Sequence, residues 1–146
     1  MTATNLPATI DQVEALESRM DSLPALDTAT VVERTLSRIL NATAAADIFS
    51  NPESQGLRDW SGKVIVVNAV AGCLPSNKKG ALSRYLVLDC VDPETGEAFA
   101  ATTGSLYACS AALRAAEVGA LPATLRVVEL ESASNPGQTS VWLVRA

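Results

Sequence analysis

Lys78 and Lys79 sit together in a run of turn-forming residues, Cys73-Leu74-Pro75-Ser76-Asn77-Lys78-Lys79-Gly80, and Arg84 and Tyr85 open the apolar segment that follows. Phe99 comes after the next turn, and Asn135 and Gln138 lie in a second turn-rich stretch, Ser132 to Thr139. Planar rings flanked by cations suit one kind of chemistry. A flat heteroaromatic group stacks on a ring whatever its identity, Lys and Arg follow phosphates, and side-chain amides hydrogen-bond sugar or base edges.

Other chemistries lack their residues. The 146-residue chain has no histidine, which removes the commonest general base near neutral pH together with Ser-His and Cys-His nucleophile pairs. It contains no HExxH, no phosphate loop ending in Gly-Lys-Ser or Gly-Lys-Thr, and no GxGxxG opening a helix. An enzyme is the least supported class, and no cofactor is expected. Cys73, Cys90 and Cys109 are widely separated, without CxxC spacing, so no metal site is expected either. Buried, unpaired thiols acting as small hydrophobes are the expected role.

The formal charge of -5 is unevenly placed. Met1 to Leu57 holds three basic and eight acidic residues, whereas Arg58 to Ala146 holds eight of each, so all the net acidity is N-terminal. A neutral C-terminal part can still bind a phosphate backbone where its basic residues converge on one groove. The longest apolar runs fall far short of the roughly 20 residues of a membrane helix. The N-terminus lacks the basic start and apolar block of a secretory signal, and a cytoplasmic location is expected.

The positioning elements follow from periodicity. Thr9-Ile10-Asp11-Gln12 has the form of a capping box, and Ile10, Val13, Leu16, Met20 and Leu23 continue it as one apolar stripe that Pro24 ends. A second helix is predicted from about Ala29, with Val32, Leu36, Ile39 and Leu40 on its buried side, and a short third around Asp47 to Phe49. Residues 1–50 are read as a helical arm, 51–57 as a linker and 58–146 as the main domain.

Beyond the linker the period becomes that of strands. Lys63 to Val70, Arg84 to Val91, Glu97 to Thr103, Ala123 to Glu131 and Ser140 to Arg145 are predicted strands, and an Ala-rich helix runs from Leu106 to Ala116, closed by Gly119 and Pro122. Thr103-Gly104-Ser105 ahead of it reads as a helix cap rather than an anion cradle. The order βββαββ predicts a mainly β fold with α, a closed five-stranded OB-type barrel preceded by the N-terminal helical arm. Should Asp89 pair with Phe99, then Tyr85, Val87, Asp89, Phe99 and Ala101 share an outer face, with Lys78, Lys79 and Arg84 along one edge and Asn135 and Gln138 opposite. A slip of one residue puts Phe99 inside, and core burial is also the expected role of Trp60 and Trp142.

From about Ile48 to Ala146 the chain resembles OB-fold single-stranded DNA-binding proteins of bacteriophage and plasmid type. The landmarks are Gly56-Leu57-Arg58-Asp59-Trp60-Ser61-Gly62 before the first strand, Asp92 to Glu97 in the hairpin, Thr102-Thr103-Gly104-Ser105 opening the helix, and Gly119-Ala120-Leu121-Pro122 after it. The resemblance implies binding by the exposed face of the second and third strands with the loops after the first and fourth. The expected function is sequence-tolerant single-stranded DNA binding in phage or plasmid replication and recombination, in the host cytoplasm where phage-encoded. The arm would serve homo-oligomerisation or offer replication proteins an acidic surface. The competing expectation is a non-catalytic structural or interaction subunit of a phage particle or replication complex, with the barrel as scaffold, since fold does not determine function.

Overall fold

Leu86, Leu88 and Cys90 alternate with Tyr85, Val87 and Asp89, and that period of two sets the frame of the domain. The computed structural model describes residues 10–24, 33, 36–37, 39–43, 54–75, 82–131 and 137–146. They form strands β1 (Ser54–Gly56), β2 (Val64–Pro75), β3 (Arg84–Val91), β4 (Ala98–Thr103), β5 (Ala123–Glu131) and β6 (Thr139–Arg145), with helices α1 (Ile10–Met20) and α2 (Leu106–Glu117) and a 3-10 turn at Leu57–Trp60.

The sheet order is β1-β4-β3-β2-β5-β6, antiparallel throughout except for the parallel pair of β1 and β4. β2 serves two neighbours. Val64 to Val67 pair with β5, Val66 to Pro75 pair with β3, and register irregularities between Val67 and Ala69 and between Val70 and Gly72 let one strand bend across both. The fold is therefore mainly β, and among the described residues its ladders make an open sheet in place of the expected closed barrel. Among the described residues β4 and β6 share no ladder, because Ser54 to Gly56 occupies the edge of β4 over Ala100 to Thr102.

Side chains bridge the resulting seam. Arg58, two residues beyond β1, donates from Nη1 to Thr139 Oγ1 at 2.7 Å and from Nη2 to the Thr139 carbonyl at 3.0 Å. Ser105, two residues beyond β4, donates from Oγ to the Val141 carbonyl at 2.6 Å. The sheet thus curls until its outer edges face one another, and two edge carbonyls of β6 find donors without a strand partner.

Inside lies a core of Ile65, Val67, Leu86, Leu88, Cys90, Ala101, Val127 and Leu143, with Ala108, Cys109, Ala112 and Leu113 of α2 packed on it. Ser105 caps α2 by accepting from the Ala108 N–H at 3.4 Å, and Gly119 ends it at φ +71°, a conformation that costs glycine nothing. The N-terminal helix belongs to this core, with Leu16 5% and Met20 0% exposed. The backbone N–H of Cys73 donates to the carbonyl of Pro24, the residue that stops the helical stripe.

Two other expectations change. Residues 33, 36, 37 and 39–41 are helical, yet Leu36 and Leu40 are 53% and 82% exposed instead of buried, for no described residue packs over them. Residues 54–57, assigned to a linker, make β1 and open the 3-10 turn, with Leu57 fully buried. The predicted helix at 47–49 and the rest of the linker, 51–53, lie outside the described residues.

Candidate nucleic-acid interface

The β3–β4 hairpin fixes which rings reach the surface. Its turn joins the Asp92 N–H to the Glu97 carbonyl at 2.8 Å and the Gly96 N–H to the Asp92 carbonyl at 2.7 Å, with Gly96 at φ +76°. This loop holds one residue more than a pairing of Asp89 with Phe99 allows. Asp89 stands opposite Ala100, and Phe99 stands opposite Cys90. Phe99 therefore points into the core, 9% exposed, and stacks on Trp60. It cannot form a platform with Tyr85, because neighbours of opposite parity on the pleat lie on opposite faces.

The outer face of β3 carries Tyr85, Val87, Asp89 and Val91 beside Thr102, Ala100 and Ala98 of β4. Tyr85 is half-buried, and its ring lies so close to Gly104 that a Cβ there would stand 3.1 Å from both Cδ1 and Cε1. Glycine at 104 is what lets the ring lie down at the end of β4. Further along, Gly72, Val87 and Ala100 are buried although they face outward, and Asp89 is half-buried in mid-face. Both ends of this face are more open than its middle, with Tyr85 and Thr102 at one and Val91 and Ala98 at the other, and the Tyr85 end adjoins the segment between β2 and β3.

Arg84 pairs with Pro75 on β2 and has the opposite parity to Tyr85, so its side chain leaves the other face and forms an ion pair with Asp21 beyond α1. Hydrogen bonding to Asp21 raises the pKa of the guanidinium further. Beside it, the Ser83 N–H and Oγ–H both donate to Glu17 Oε1, at 2.8 and 3.0 Å. Gln138 is exposed just before β6. β2 and β5 run antiparallel, so the segments after Pro75 and after Glu131 leave the sheet at opposite ends. Lys78, Lys79 and Asn135 lie outside the described residues. Of the seven expected site residues, the described ones thus occupy three places: Tyr85 and Arg84 at one end of the sheet, Gln138 at the other, Phe99 within.

A ring and three cations around the 3-10 turn were not among the expected site residues, Trp60 being expected in the core. Trp60 stacks on Phe99 with centroids 4.1 Å apart, and Lys63 Nζ stands 5.4 Å from the Trp60 centroid. Arg126 Nη1 donates to the Gly62 carbonyl at 3.0 Å, and Arg58 reaches Thr139 and lies 3.3 Å from Glu129. Arg58-Asp59-Trp60-Ser61-Gly62-Lys63 was the available signal, two cations and a ring within six residues, but nothing in one dimension brings Arg126 or Thr139 to it. Glu129 accepts from Ser61 Oγ at 2.6 Å and Thr139 Oγ1 at 2.8 Å, and these bonds, ahead of the Arg58 charge, hold its carboxyl below the usual glutamate range. The second stacked pair is Tyr107 on Trp142, 4.1 Å apart, joining α2 to β6.

Cys73, Cys90 and Cys109 are free and buried. Burial pushes the Cys90 and Cys109 thiols up to about 12. Among the described residues no group of His, Cys, Asp and Glu could hold a metal ion, and no helix is long and apolar enough to cross a membrane. No protein-family model, curated protein or solved structure matches the chain.

Proposed function

We propose that this protein binds single-stranded DNA through an OB-type sheet, without catalysis and with little sequence preference. The observation that carries the reading is the strand order β4-β3-β2-β5-β6 beside β1, with α2 between β4 and β5, an order that a partly open OB barrel would share. In such barrels the outer face of the strands here numbered β3 and β4 meets the oligonucleotide, between the loops before β3 and before β6. Tyr85 is the ring on that face. Lys78 and Lys79 are cations of the first loop by sequence, and Asn135 and Gln138 belong to the second. A role in phage or plasmid replication and recombination, as a homo-oligomer in the cytoplasm, accompanies the reading.

One group of observations favours a scaffold or interaction subunit instead. Phe99, Trp60, Tyr107 and Trp142 are spent on internal stacks, and Arg19, Arg58, Arg84 and Arg114 all pair with carboxylates. Titrating a fluorescein-labelled dT oligonucleotide with the protein, followed by anisotropy at two salt concentrations with duplex DNA as control, separates the two. Saturable, salt-weakened binding to the single strand alone supports the DNA-binding reading. No binding at low salt leaves the scaffold.

A further inference from the structure

At the head of β3, three donors on two adjacent residues meet the C-terminal part of α1 and the residue after it: the Ser83 backbone N–H, the Ser83 hydroxyl and the Arg84 guanidinium. A backbone N–H, a hydroxyl and a guanidinium are the groups that commonly hold a phosphate. Here they are filled from within the chain, the first two by Glu17 Oε1 and the third by Asp21 Oδ1. We infer that Ser83 and Arg84 form a phosphate-binding corner that the N-terminal helix occupies with its own carboxylates, making the helix a built-in competitor for nucleic acid. The inference rests on the proposed function and adds a regulated contact to it.

Placement and charge support this assignment. In the sequence the corner follows closely on Lys78 and Lys79. Asp11, Glu14, Glu17 and Asp21 are spaced three, three and four residues apart and make one acidic stripe beside the apolar one. The apolar stripe fixes the helix, because Leu16 and Met20 are buried. The Asp21 carboxylate is not fixed in that way, since Asp21 is 60% and Arg84 31% exposed at the side chain. Exposed ion pairs are individually weak and screened by salt, so a polyanion can displace Asp21 from Arg84 while α1 stays docked. The competition is thus between side chains and needs no unfolding of the helix.

The test compares the full-length wild type, a Glu17→Ala/Asp21→Ala variant and an Asp11→Ala/Glu14→Ala variant, which loses the same charge from the same helix but away from Ser83. Affinity for a labelled dT oligonucleotide is measured across a salt series, and far-UV circular dichroism and thermal melts check that each variant is folded. Glu17→Ala/Asp21→Ala is expected to bind on the order of tenfold tighter, with its log–log salt slope steeper by about 0.7 for the one phosphate gained. Asp11→Ala/Glu14→Ala stays within about twofold of wild type. Adding Arg84→Ala to the first variant abolishes the gain. Should α1 melt out of the first variant, Glu17→Gln/Asp21→Asn keeps its shape and should move affinity in the same direction. Equal gains in both charge-removal variants would overturn the inference in favour of general electrostatics. Binding by wild type with no gain in Glu17→Ala/Asp21→Ala would overturn it while leaving the proposed function standing. Failure of every protein to bind at low salt would remove both.

Discussion

Trp60 and Phe99 lie parallel, 8° between ring planes and 4.1 Å between centroids, and the pair ties the 3-10 turn before β2 to the start of strand β4. Such a stack contributes about 0.5–1.5 kcal/mol beyond the apolar area it buries. It agrees with the hairpin register, which sets Phe99 opposite Cys90 on the core face.

Phe99→Ala should therefore act as a core truncation. Loss of the ring leaves a cavity under Trp60, and the expected cost is about 3–5 kcal/mol. Urea unfolding followed by tryptophan fluorescence measures it, and a cost below about 1 kcal/mol would be that of a surface position.

Tyr85 should behave in the opposite way. Tyr85→Ala removes a half-buried ring that lies on Gly104, and it is expected to weaken oligonucleotide binding by about 1–3 kcal/mol, the worth of one base stacked on an aromatic ring. Gly104→Ala forces a methyl to within 3.1 Å of two ring carbons, so the ring must shift by a few tenths of an ångström. Nuclear magnetic resonance shifts of the Tyr85 ring protons, with an anisotropy titration, report both effects.

Acid should reach Glu129 in a defined direction. Its native carboxyl titrates below the unfolded value, so its contribution is complete above the unfolded value and is lost as pH falls through the lowered native one. Thermal melts between about pH 6 and pH 3 are expected to show a shallower acid decline for Glu129→Gln than for wild type, with the curves converging at the acid end. Parallel curves would show that the bonds from Ser61 and Thr139 have no preference for the carboxylate.

The thiols should be silent until the chain unfolds. Cys73, Cys90 and Cys109 are buried, and desolvation raises the pKa of each, so little thiolate exists near neutral pH. Ellman's reagent is expected to find almost no fast-reacting thiol in the native protein and all three in denaturant.

Most of the elements were legible in the sequence because their signals are local. β3 spans Arg84 to Val91 as alternation required, Ser105 and Gly119 bracket α2 as capping chemistry required, and α1 stops before Pro24. What was not legible depends on distant pairings. One extra residue in the hairpin turned Phe99 inward, and no local pattern separates that register from its neighbour. Arg84 looked like a companion of Tyr85, but adjacent residues of a strand point to opposite faces, and Asp21 waits on the other side. Arg58 became a bridge to Thr139 across 81 positions of chain, a separation at which composition and periodicity are mute.

The seam between β4 and β6 has a consequence for how this sheet can vary. A barrel closed by a backbone ladder has its girth set by strand number and shear, and changing it means shifting every strand in step. In this chain Arg58 and Ser105 hold the two edges. The spacing of these edges thus depends in part on the reach of two side chains, and a point substitution at Arg58 or Ser105 can change it while leaving each strand in its own register.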